Sequence, residues 1–420
     1  MGTWTSIGYD TLNRLISEPA TAGVYSGKYG CWSYDPFGNR TAEAMSTTAC
    51  TNSPPLTSWA SYNTGSNRIA NTNQAPSGVN YDAAGDLAYD GQNQYLYDAE
   101  GRVCAVASTP VPGFTTLTGY IYDAEGTRVA KGIITAWSCN PSANGFSSSV
   151  NETDYVLDQS GAQMVELATD YNGAMAWQHT NIWAGGKLLG TYNPSDANNA
   201  TGAHLYFDDP LGSRRVQTDA DGVVEQSCNS LPFGDGETCS PYPTENLFTG
   251  KERDTESGND YFDARYYSST LGRFMSPDWS AKEEPVPYAN LGDPQSLNLY
   301  AYVYNNPLIR TDPNGHTCDG GGVCSQIMQD AHAVINNPYV QGGARCPTPD
   351  RPKDCGCPIL SRFLRKGGRR QTSMGYSRID FSHHAQGPYA LSESRRLSLR
   401  HVQLLSKESA AVQEWGLCCL

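Results

Sequence analysis

Charge is scarce in this sequence. Asp, Glu, Lys and Arg together supply 17% of its 420 residues, so its polarity rests on Gly, Ser, Thr and Asn rather than on ion pairs. Basic residues are the scarcer kind, 29 against 43 acidic, and the net charge of −14 argues against a general nucleic-acid binder, which needs a basic surface. No run of 18 apolar residues occurs, so no membrane-spanning helix is expected. The opening MGTWTSIGYDTLNRL has no basic segment followed by a long apolar one, and no signal peptide is read there. A phosphate loop, a Ser-His-Asp set and a dinucleotide fingerprint are all missing, and Gly185-Gly186-Lys187 lacks the phosphate-loop context. The 13 Cys show no regular zinc spacing and leave the redox compartment open. No cofactor and no metal are expected.

Tyrosine and glycine are abundant instead, with 26 Tyr and 42 Gly, and 25 Pro add to the turn formers. Such a composition suits many short strands joined by tight turns and excludes a mainly helical chain. Self-similarity then gives the organisation. A Tyr-Asp unit reads YDTLNRL at Tyr9, YDPFGNR at Tyr34, YDAAGDL at Tyr81, YDAEGRV at Tyr97 and YDAEGTRV at Tyr122, with looser copies from Tyr155 and Tyr206. In each unit the Asp carboxylate is placed to accept from backbone amides two residues on, and Gly101 or Gly126 takes the left-handed conformation that closes a hairpin loop. The bland alternative is a chance scatter of Tyr-Asp pairs in a Tyr-rich chain. Five tight copies with a shared downstream basic or aliphatic residue disfavour it. One hairpin cannot bury its own apolar face, so the units must join into a continuous sheet.

These units resemble the YD repeat of RHS proteins, of the C components of bacterial toxin complexes and of the teneurin shell. From Tyr206, the runs YFDDPLGSRRVQTDADGVVEQ, LPFGDGE, NLFTGKERDTESGNDYFDARYYSSTLGRFMSPDW and PQSLNLYAYVYNNPLIRTDPNG resemble, in order, the blocks of the RHS repeat-associated core domain. The resemblance implies an all-β fold: a spiral strip of β-hairpins forming a partial YD/RHS shell, an inward-curling core domain and a short, partly helical C-terminal tail. The expected divisions are residues 1–205 for the shell segment, 206–315 for the core and 316–420 for a variable segment, either cargo or a degenerate tail. Family shells hold more repeats than this chain, so an open shell cut from a larger ancestor is expected.

The resemblance also implies chemistry. In the toxin-complex relatives the core is an aspartyl autoprotease that cuts after the DPxG region and frees the enclosed cargo. The matching residues here are Arg265 in ARYY, Asp278 in GRFMSPD and Asp312 in DPNG. Two carboxylates that share one proton can act as base and acid on a peptide bond, and an arginine can hold one of them. Read without the family, Asp-Pro and Asn-Gly are simply turn signals and the arginine caps carbonyls. Ser268-Ser269 stands where many relatives carry Asp-Pro, Trp279 where they carry Pro, and HTCDGGGVC lacks the Leu found near the family cut.

Charge changes sign where the family places the border. Residues 1–315 carry 16 basic and 35 acidic groups, a net of −19, and residues 316–420 carry 13 and 8, a net of +5. A basic cargo in an acidic shell is favoured by long-range attraction. The segment Ser325–Asn337 has helical apolar spacing, Arg362–Arg370 is a basic run that touches nucleic acid if the tail is a nuclease and otherwise reads as a solvated linker, and His316, His332, His383 and His384 add possible ligands to seven Cys that lack a recognised zinc spacing.

Two functions are carried forward, beside the third possibility of a displaced fragment with no present activity. The first is toxin delivery or bacterial competition, with the chain's own C-terminal segment as cargo, an immunity protein as its partner, and a secreted or cell-surface location. The second is a non-enzymatic surface repeat protein that binds carbohydrate or a partner cell surface.

Overall fold

The computed structural model describes residues 7–316 apart from 21–24, 51–56, 112, 147–151, 170–172, 197–198, 200, 237, 241–244, 280–288 and 291. The expected helix at 325–337, the basic run at 362–370, the seven Cys of the tail and His332, His383 and His384 lie outside the described residues.

The turn chemistry of the repeat is realised unit by unit. Asp98 Oδ1 accepts from the amides of Glu100 and Arg102 at 2.9 and 3.0 Å. Asp35, Asp123, Asp158, Asp209 and Asp219 do the same two and four residues on. Gly101 and Gly126 sit at φ of 77° and 90°, the left-handed region that a Cβ would disfavour. The ladder shifts register beside each turn, as at Tyr97 and Tyr122, which marks the bulge of a three-residue hairpin. Tyr89-Asp90 opens a further turn, with Asp90 Oδ1 accepting from the Gln92 and Asn93 amides, and Tyr62-Asn63 opens one closed by backbone bonds.

A second regularity locks four of the units to an earlier one. The hydroxyls of Tyr34, Tyr62, Tyr97 and Tyr122 donate to the carbonyls of Leu15, Arg40, Leu87 and Val103 at 2.6–3.0 Å. Each acceptor lies six residues after the Tyr that starts an earlier unit, Tyr9, Tyr34, Tyr81 or Tyr97. The downstream basic residue joins in: Arg14 and Arg102 pair with their own Asp10 and Asp98 at 2.7 and 2.8 Å and lie over the rings of Tyr34 and Tyr122.

The hairpins assemble into a five-stranded sheet from Gly8–Tyr9 to Thr57–Ser58, a pair formed by Ala60–Tyr62 and Ile69–Thr72, and a fourteen-stranded sheet from Asn80–Tyr81 to Thr238–Ser240. Strand order follows chain order throughout. The long sheet runs unbroken through residues 153–192, where the motif is faint, because a ladder is made by backbone groups and does not need the Tyr-Asp pair. The strand Ala203–Asp208 spans positions 205 and 206 within the same sheet. A separate four-stranded sheet follows, from Glu252–Arg253 to Arg273–Phe274, and only short 3₁₀ turns appear among the described residues. The fold is all-β.

The four-stranded sheet packs onto the hairpins. Tyr261, Tyr266, Leu271 and Met275 join Trp59, Ile69, Leu87, Tyr95, Val103 and Tyr120 in one core. A buried charge cluster fixes the contact. Arg128, fully buried, reaches Glu252 at 2.6 Å and Asp254 at 2.7 Å, its amide donates to the Tyr261 hydroxyl, and Lys131 and Tyr155 also bond Glu252. Burial raises the Glu252 carboxyl, but Arg128 and Lys131 outweigh it and hold it well below the usual range.

All six Cys that precede residue 316 are paired, as Cys31–Cys50, Cys104–Cys139 and Cys228–Cys239. Spacing could not show this, because each pair spans a loop of different length. Structural disulfides persist in oxidising compartments.

Glu18 is an outlier, 2% exposed, with its carboxyl raised to about 8 by burial and by Asp235, against Arg215. Its folded pKa lies above the unfolded one, so the native state holds the extra proton and stability falls as pH rises from about 4.5 to 8. Glu18→Gln cannot ionise. It is expected to match the wild type near pH 4.5 and to exceed it at pH 8.5 by on the order of 3 kcal/mol in urea unfolding.

Candidate functional site

The three residues singled out in the sequence meet in one buried place. Arg265 opens the strand Arg265–Ser268, and its guanidinium lies 3.7 Å from the centre of the Phe274 ring on the paired strand. There Nη1 donates to the Leu299 carbonyl at 2.9 Å, Nε donates to the Gly315 carbonyl, and Nη2 faces both carboxylates. Asp278 Oδ2 is 3.2 Å from Nη2 and Asp312 Oδ2 is 3.7 Å from it. Both carboxylates and the guanidinium are almost completely buried. Buried acids that close to a single cation are held together by it and compete for it.

Each aspartate is set by local chain geometry. Asp278 follows the strand Arg273–Phe274, and its amide donates to the Leu299 carbonyl, the same oxygen that Arg265 holds. Its Oδ1 accepts from the Trp279 amide at 2.8 Å. Asp312 heads an Asx turn in which Oδ1 accepts from the amides of Asn314, Gly315 and His316 at 3.3, 2.8 and 3.1 Å. Burial pushes the Asp312 carboxyl up, Arg265 and the Asn314 and Gly315 amides oppose the rise, and Asp278 adds to it. The Asp-Pro-Asn-Gly run is therefore both a turn and the site of a carboxyl that keeps its proton more readily than usual.

The turn is clamped from below. The Asn314 carbonyl accepts from the Ala264 amide, and Gly315 sits at φ 82° with its backbone against the Phe262 carbonyl. A Cβ there would collide with that carbonyl and crowd the Arg265 amide, in a conformation that L residues avoid. Gly315→Ala is expected to cost about 2 kcal/mol in thermal or urea unfolding and to displace the carbonyl that Arg265 holds. An unchanged midpoint contradicts the clamp.

Two contacts escaped the sequence. His316 Nδ1 lies 2.9 Å from Asp278 Oδ1, and its ring stands edge-on to Trp279 with centroids 4.6 Å apart. Read as one of the tail's imidazoles, His316 instead joins the core, and only its place directly after the DPNG turn hinted at that. Ser268, in the place of the family's common Asp, supplies its hydroxyl to the Leu271 amide at 3.3 Å and so keeps the turn.

The architecture is that of a hairpin-strip shell segment carrying a small core sheet against its face. No family model matches the chain. Among curated proteins it is similar to the tRNA3(Ser)-specific nuclease WapA of Bacillus spizizenii, at 28% identity over 313 residues, and to toxin subunit YenC2 of Yersinia entomophaga, at 25% over 327 residues. Both alignments cover 73% of this chain, but only 12% and 31% of those proteins. Among solved structures it shares the fold of the TcdB2-TccC3-Cdc42 complex, with a TM-score of 0.53, and of the Photorhabdus luminescens Tc holotoxin pore, with a TM-score of 0.51. Identity is 20% in each case, over 75% of this chain and 15% of the other. The motif blocks, these relatives and the shared fold are consistent with an RHS/YD-repeat protein related to bacterial toxins.

Proposed function

We propose that this chain is the shell-and-core part of a toxin-delivery protein, acting in bacterial competition or attack, whose core cuts its own backbone beyond Gly315. One observation carries the reading: Asp278 and Asp312, buried and far apart in sequence, face one nitrogen of Arg265 directly beside the DPNG turn. Hydrolysis needs a water whose proton goes to an ionised carboxylate as its oxygen adds to the scissile carbonyl carbon. A protonated carboxyl then gives its proton to the leaving amide nitrogen as the C–N bond breaks. Asp312, with its raised pKa, suits the second role. The released segment is the basic C-terminal stretch beyond the cut, its cognate an immunity protein, and the three disulfides support export to an oxidising space or cell surface.

A second reading, binding of carbohydrate or a cell surface without catalysis, is favoured by one feature. Ile182, Leu205 and Phe207 stand exposed on one sheet face, since Ile182 pairs with Gly190 and Gly190 with Leu205. Expression of residues 316–420 alone in bacteria separates the two. Growth arrest, relieved in cells making the whole chain, is the expected result; unimpaired growth favours the binding protein.

A further inference from the structure

We infer that His316 is a positioning residue for this site: its imidazole Nδ1–H holds Asp278 in the geometry of the carboxylate that receives the proton from water, and so separates the roles of the two aspartates. The inference rests on the self-cleavage reading above. It begins from the unequal surroundings of the pair. Asp312 Oδ1 is occupied by three backbone amides of its own turn, one of them that of His316. Asp278 Oδ1 has the Trp279 amide at 2.8 Å and the His316 imidazole at 2.9 Å, while Oδ2 turns to Arg265. A carboxylate facing this nitrogen makes the Nδ1–H tautomer the donor.

His316 therefore grips both acids, Asp312 through its amide and Asp278 through its ring. The ring cannot swing freely, because Trp279 meets it edge-on at 4.6 Å and the Asp312 turn fixes its backbone. The residue directly after the DPNG turn thus does more than lead the chain out of the core. It sets which oxygen of Asp278 stays occupied and which way the carboxylate plane faces.

The test uses the full chain made by cell-free synthesis, with self-cleavage followed on gels. His316→Phe keeps a ring against Trp279 but loses the donor, and cleavage is expected to slow about tenfold or more. His316→Asn places an amide N–H near the position of Nδ1, and it is expected to restore the rate to within about threefold of the wild type. In uncut Asp312→Asn protein, ¹⁵N spectra of labelled histidine are expected to show His316 protonated at Nδ1, and Asp278→Asn to remove that preference. His316→Phe cutting as fast as the wild type, or an unprotonated Nδ1, overturns this inference alone. A wild-type chain that stays whole overturns the self-cleavage reading and this inference with it.

Discussion

Asp278→Asn and Asp312→Asn are each expected to leave the chain whole, with self-cleavage slowed at least about 1,000-fold. Asparagine keeps the size of the side chain and an acceptor oxygen, so the Trp279 amide and the Asx turn at 312 retain partners. What is lost is the ability to take or give a proton. The two losses should not add, because a pair that works as a unit is disabled by either change. Asp263→Asn is the control: that carboxyl is 53% exposed, pairs with Lys251 at 2.8 Å and takes no part in the buried pair. It should cut at the wild-type rate. Gel densitometry over a time course reads all four chains.

Arg128→Met is expected to destabilise the described fold by about 3–5 kcal/mol at neutral pH, the cost of leaving two buried carboxylates with Lys131 alone as their cation. Arg128 is fully buried between Glu252 and Asp254 and lies over the rings of Tyr120, Tyr155 and Tyr261. Removing it raises both acids, so the variant's native state binds more protons and its deficit should shrink at pH 5. Arg102→Met removes a pair at the edge of solvent, with Asp98 partly buried and Glu100 exposed, and should cost no more than about 1 kcal/mol. Urea midpoints at pH 5 and pH 8 compare the two. Equal effects contradict the view that the charge cluster anchors the core sheet to the hairpins.

The contrast between those arginines shows what a sequence can disclose. Arg102 pairs four residues back with the Asp of its own unit, a local pattern visible in YDAEGR. Arg128 finds Asp254 126 residues away, and no spacing announces it. Turns were legible for the same reason: Asp98 and Gly101 act within five residues of each other, and their chemistry is fixed by backbone geometry. That a Tyr hydroxyl can reach a backbone group follows from the residue type, but its partner was not legible, because the acceptor is a carbonyl on an earlier unit, where any side chain serves. Cysteine pairing was hidden by unequal loop lengths, with separations of 19, 35 and 11 residues. Arg265, Asp278 and Asp312 were found through ordered motif blocks rather than local chemistry. His316 was not, because an imidazole just past a turn carries no signal until Asp278 is seen beside it.

Intact-mass analysis of the purified wild-type chain, beside Asp278→Asn, tests the central claim most directly. A fragment whose new C-terminus falls after Gly315 and before about residue 330, appearing with time in the wild type and absent from Asp278→Asn, is the predicted result. A wild type that keeps its full mass, or a fragment that forms equally in Asp278→Asn, contradicts it.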